Sequence, residues 1–192
     1  MGVETAAAGR TRRAILEAGI AVLSVNPGAS ISEIAARAGV SRSTFHRYFS
    51  DKAALTEAAN VRAAEEWEAA VGRARLEEGS GFEAYRRLCT ELMDSLPTLV
   101  WWMSTTGAGA GSADDDEDEV DRRIAAAIRR GHEDGSIDPQ LTPEWIGNSL
   151  WAMLYAVYYI PAETHGKVGS FEARQQALRT LLKAAATDPA SV

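Results

Sequence analysis

S-I-S-E-I-A-A-R-A-G-V-S-R-S-T-F-H-R-Y-F-S-D-K, residues Ser30 to Lys52, places apolar side chains at helical spacing on both sides of a single glycine. Ser30 with Glu33 three residues on is a capping-box pattern, so a helix is predicted to start there. Ile31, Ile34, Ala35 and Ala38 then share one face, leaving Ser32, Glu33 and Arg37 to solvent. Gly39 stands where a helix commonly ends in a left-handed residue, and Val40 after it is expected to pack inward. Ser41 can cap a second helix on which Phe45 and Phe49 lie one turn apart. What remains outside is Arg42, Ser43, Thr44, His46, Arg47 and Tyr48, a surface made almost wholly of hydrogen-bond donors and cations. Two helices joined by a tight Gly-containing turn, the second with a basic outer face, have the layout of a DNA-binding helix-turn-helix. Arginine suits guanine, Ser and Thr suit bases or phosphates, and Lys52 stands where it would reach a phosphate.

The run from Ile34 to Leu55, I-A-x-x-A-G-V-S-x-x-T-F-x-x-Y-F-x-x-K-x-x-L, resembles the N-terminal domain of the tetracycline-repressor (TetR) family of transcriptional regulators. The resemblance covers roughly the first 55 residues. It implies a three-helix head on residues 1–55 and a helical ligand-binding and dimerisation domain on 56–192. Ser30, Ser41, Arg42, Ser43, Thr44, His46, Arg47, Tyr48 and Lys52 form the candidate DNA-contacting set. Two positions depart from the family pattern. Ser43 stands where Gly is frequent, and His46 replaces a Tyr that usually touches a phosphate, a contact His46 could keep through a ring N–H.

Composition is that of a globular chain: 192 residues, 46% hydrophobic and 24% charged. No apolar run of membrane-spanning length and no secretory pattern at the N-terminus are found, so a cytoplasmic protein is expected. Cys89, the single cysteine, excludes an internal disulfide. The net charge of −7 is unevenly spread. Seven cations oppose five carboxylates through residue 60, giving +2 and leaving −9 for the remainder. A locally basic head on an acidic body can still bind phosphates while the body limits non-specific adhesion.

Arg10, Arg12 and Arg13 precede a first helix whose stripe is Ile15, Ala18, Gly19, Val22 and Leu23, and they read as a basic segment lying along the DNA backbone in preference to a frayed basic tail. A long helix is predicted from Lys52 towards Leu76. Phe82 to Leu96 follows, and Pro97 is read as opening a separate short helix over 98–103. The Gly-rich segment 107–113 and the carboxylates 114–119 have no phosphate-loop or calcium-loop spacing, so neither a metal nor a cofactor is expected. Later helices are predicted over 120–133, 143–160 and 171–186. The penultimate one is apolar nearly all round and must be covered, one face by the core and the other by a second subunit. The family resemblance places a homodimer interface on these last two helices.

The chain therefore reads as all-α with about nine helices. Trp67, Tyr85, Cys89, Leu92, Trp101, Trp102, Met103 and Trp151 concentrate aromatic and sulfur-bearing side chains that could line an adaptable effector pocket. Glu91 and Asp94 nearby would admit a cationic aromatic compound. The expected function is a ligand-responsive regulator, a repressor released from a palindromic operator by a small apolar or aromatic molecule. Cys89 as a redox switch is the alternative. A helical enzyme is the least supported reading, because no nucleophile has a sequence-local base and no His-Glu metal spacing occurs.

Overall fold

The computed structural model describes residues 2–105, 119–159 and 170–191. Eight α-helices and one 3₁₀ turn form among the described residues: α1 Gly2–Leu23, α2 Ile31–Arg37, α3 Arg42–Tyr48, α4 Lys52–Ala74, α5 Gly81–Thr105, α6 Glu119–Glu133, α7 Pro143–Tyr159 and α8 Ser170–Ala185. No strand forms among these residues, and an isolated bridge joins Ile137 to Ala186. None of the described helices is long and apolar enough to cross a membrane. The chain divides into two compact units, Met1–Glu66 with Pro97–Gly107 and Trp67–Leu96 with Ala108–Val192. The first unit thus takes in residues beyond the head predicted on 1–55.

In the first unit, Ile15, Leu16, Ile20 and Leu23 of α1 share a core with Ile34, Ala35, Phe45, Phe49, Leu55, Ala59 and Ala63. Gly19 is what allows α1 so close to α4, since a Cβ there would lie 2.6 Å from Leu55 Cδ2. The predicted turn between α2 and α3 has the geometry its sequence demands. Gly39 takes φ +68°, Gly39 N–H donates to Ala36 O at 3.1 Å, and Val40 N–H donates to Ala35 O at 2.9 Å. These are the paired bonds of a Schellman motif, which satisfy carbonyls a helix end leaves open. Val40, Ile31 and Ala38 are half-buried rather than fully enclosed.

Two expectations about helix limits need correction. The arginines at 10, 12 and 13 lie within α1, which reaches back to Gly2. Ala6 to Ala8 supply the strongest helix former just upstream, so the helix propagates past the point where the apolar stripe begins. Pro97 sits inside α5 instead of opening a new helix. A proline in a helix interior costs about 3 kcal/mol or more. Here Pro97 itself is exposed while Leu96, Leu99, Val100 and Trp101 are buried. Burial at roughly 1.5–3 kcal/mol per large apolar side chain outweighs that penalty.

In the second unit, Val71, Leu76, Leu88, Leu92, Ile128, Ile137, Leu150, Leu154 and Leu181 are buried. The turn after α4 is fastened by arginines from elsewhere in the chain. Arg87 donates to Ala74 O at 2.7 Å and Arg75 O at 2.9 Å, and Arg130 donates to Leu76 O at 2.6 Å. Arg123 adds an ion pair to Glu77 at 2.8 Å. The start of α5 is capped three times over: Ser80 and Glu83 exchange bonds, Gly81 N–H donates to Asp134 Oδ2 at 2.9 Å, and Phe82 N–H donates to Ser136 Oγ at 3.1 Å. Residues 160–169 and the acidic run 114–118, with the loop readings made for them, lie outside the described residues.

Candidate nucleic-acid interface and effector site

The presentation of α3 begins with its caps. Ser30 and Glu33 form the full capping box at the start of α2: Ser30 N–H donates to Glu33 Oε2 at 2.7 Å, and Glu33 N–H donates to Ser30 Oγ at 3.3 Å. Those bonds from Ser30 hold the Glu33 carboxyl below its ordinary range. Ser41 Oγ accepts Thr44 N–H at 3.1 Å at the start of α3. Below the helix, Phe45 is fully buried and tilts against Phe49 with ring centroids 5.9 Å apart. Both rings are fixed by packing, so the opposite face has one orientation.

That face exposes Arg42, Ser43, His46 and Arg47, with Thr44 and Tyr48 half-buried at its edge. The structure thus brings together six of the nine predicted DNA-contacting residues on one short helix. Ser30 and Ser41 have their hydroxyls engaged in capping. Arg47 lies over the Tyr48 ring, 5.1 Å from its centroid. Arg12, from α1, lies 5.1 Å over the Phe49 ring, a packing role that spacing along the chain could not reveal. His46 Nδ1 is 3.0 Å from Ser50 O. With its proton on Nδ1 for that bond, a neutral ring offers only an acceptor at Nε2, so a phosphate contact through Nε2–H requires the imidazolium. Lys52, half-buried, donates to Pro27 O at 2.9 Å and to Ala29 O at 3.4 Å.

The predicted effector residues belong to both compact units. Within the second unit, Trp67 and Trp151 stack with centroids 5.2 Å apart and planes 27° from parallel. Tyr85, Cys89 and Leu92 are buried. Within the first unit, Trp101 donates its indole N–H to Asn60 Oδ1 at 2.7 Å, and Trp102 is half-buried. The Met103 side chain lies outside what the structure describes. Asn60 was invisible to sequence reasoning because a lone Asn in a helix carries no pattern. Glu91 is held by Arg73 at 2.6 Å, and Arg73 also donates to Ser95 Oγ at 2.9 Å, so that carboxylate is already partnered. A groove of about 570 Å³ runs along α8 between Phe171, Gln175, Leu178 and Leu182, and none of the predicted effector residues lines it.

Burial pushes the Cys89 thiol up to about 12, and the same burial, with Cys89 beside it, holds the Tyr85 hydroxyl well above its usual value. A reactive cysteine needs the opposite shift, because the thiolate is the nucleophile. Among the described residues no cluster of three or more His, Cys, Asp or Glu could hold a metal ion.

The family model described as bacterial regulatory proteins of the tetR family matches residues 11–59, which span the α2–α3 pair. Over 157 residues the chain is 32% identical to the HTH-type transcriptional repressor LfrR of Mycolicibacterium smegmatis, covering 81% of this chain and 82% of that one. The chain belongs to the TetR family. Among solved structures of such regulators, it is similar to LfrR from Mycobacterium smegmatis in complex with proflavine, with 29% identity, a TM-score of 0.62, and coverage of 93% and 97% of the two chains. The ketosteroid regulator KstR2 of Mycobacterium tuberculosis shares the fold, with a TM-score of 0.68 at 14% identity over 92% of this chain and 95% of that one. As a TetR-family regulator, the chain has its helix-turn-helix in the matched segment and its helical C-terminal domain beyond it.

Proposed function

We propose that this TetR-family regulator represses transcription by binding a roughly palindromic operator as a homodimer, and that a planar aromatic effector releases it. The observation that carries the reading is the exposed donor face of α3, with Arg42, Ser43, His46 and Arg47 outward over the buried Phe45. Two such helices related by a dyad would enter successive major grooves about 34 Å apart. Arg42→Ala is expected to weaken binding to a duplex selected from a random pool by roughly 5- to 150-fold, the range for one bidentate base contact. The dimer should persist by sedimentation. Unchanged affinity in a gel-shift titration would remove α3 from the interface.

Support for the dimer is the apolar surface that α7 and α8 leave uncovered in a single chain. Trp145 is 62% exposed and Phe171 71% exposed, and Leu178 and Leu182 line the groove beside Phe171. Exposure of that kind marks surfaces that meet a partner.

The effector reading rests on the Trp67–Trp151 stack together with the relative's proflavine complex. A planar cation gains stacking and cation–π attraction from indole faces. Trp151→Leu should weaken proflavine binding roughly 5- to 30-fold, the equivalent of about 1–2 kcal/mol. Fluorescence titration measures it, with light scattering to confirm that the assembly is unchanged. Equal affinity in the two proteins would move the effector away from the stack.

A further inference from the structure

Lys52 occupies an unfavourable place for a cation. It is the first residue of α4, where the aligned peptide dipoles present their positive end, and its side chain is half-buried. The ammonium is stabilised there by two main-chain carbonyls, Pro27 O at 2.9 Å and Ala29 O at 3.4 Å. Ala29 is buried and directly precedes Ser30, the N-cap of α2. The same stretch of α4 is fixed from the other side, because Asp51 Oδ1 accepts Ala54 N–H at 2.8 Å. Between Ala29 and Lys52 lies the entire helix-turn-helix, entering through the Ser30 cap and leaving through Asp51. The ion–carbonyl contact therefore ties together the two ends of the segment that carries the recognition face.

We infer that Lys52 is a positioning residue for operator binding, which sets the orientation of α2 and α3 on α4 by clamping the Pro27–Ala29 turn. This deepens the proposed function and rests on it. Two of the three ammonium donors are held by carbonyls, so its loss should act through geometry. Base contacts need the recognition face in register, whereas non-specific attraction to the duplex does not.

Lys52→Met keeps most of the stem and removes the ammonium. Its affinity for the wild-type-selected duplex should fall roughly tenfold, with affinity for a scrambled duplex within about twofold of wild type. The slope of log affinity against log salt for the selected duplex should be unchanged, since losing a phosphate contact lowers it by about 0.9. Circular dichroism well below the unfolding transition separates this from partial unfolding. Amide exchange should accelerate over residues 28–34 in the variant, a readout that needs no DNA. Uniform weakening on both duplexes with a reduced slope would make Lys52 a phosphate contact and overturn the clamp. Unchanged affinity or unchanged exchange would overturn it too. Failure of wild type to select any duplex would instead strike the DNA-binding reading.

Discussion

Phe45→Ala is expected to abolish operator binding although it leaves every exposed donor of α3 in place. Phe45 is fully enclosed, against Phe49 at 5.9 Å and edge-on to His46 at 5.6 Å. Truncating a buried phenylalanine costs about 3–5 kcal/mol, from lost transfer energy and from the cavity left behind. α3 is seven residues long and cannot persist on its own, because helices that short lack the propagated bonds to offset nucleation. Its order comes from the two rings beneath it and from the Ser41 cap. Total stabilities of domains are only about 5–15 kcal/mol, so removal of one ring takes a large share. Gel-shift titration should show no specific complex at concentrations saturating for wild type. Exchange protection should be lost over 30–49. Specific binding within tenfold of wild type would mean that the exposed residues, and not their apolar support, define the recognition surface.

What could be read from the sequence was local. Ser30 with Glu33, Gly39 before Ser41, and Phe45 with Phe49 are patterns closed within four residues, and each appears as predicted because its partners are fixed by helix geometry alone. The α2–turn–α3 pair and the exposed donor face of α3 follow from them. Contacts between distant parts of the chain were not legible. Lys52 reaches back to Pro27, Arg130 to Leu76, and Trp101 to Asn60, with nothing in spacing or composition to pair them. Pro97 misled because a local breaker rule competed with burial on both sides of it, and burial won. The effector set suffered the same limit. No spacing rule pairs aromatic residues on different helices, and the stack of Trp67 on Trp151 is such a contact.

Gly81→Ala should be the most damaging single-methyl change in the second unit. A Cβ at residue 81 would fall 2.1 Å from Gly131 N, 2.2 Å from Gly131 Cα and 2.6 Å from Ala127 O. Every one of these is a backbone atom of α6, so no side-chain rotation can make room. The start of α5 must instead withdraw, which strains the bonds from Gly81 N–H to Asp134 and from Phe82 N–H to Ser136. Overpacking costs about 1–3 kcal/mol or occasionally more, and each compromised cap adds about 1 kcal/mol. The expected total of roughly 3–5 kcal/mol corresponds to a fall in Tm of about 6–20 °C for a chain of this size. Gly72→Ala supplies the opposite sign from the same chemistry. Gly72 is exposed within α4 and a Cβ there meets nothing within 4 Å, so the change should stabilise by up to about 1 kcal/mol through helix propensity. Calorimetry on the two variants compares one added methyl at an inter-helix contact and on an open helix face. Equal melting temperatures would mean that α5 and α6 do not approach through Gly81 and Gly131. A drop confined to Gly81→Ala ties the integrity of the helical body to the close approach of α5 to the α6 backbone at Gly131.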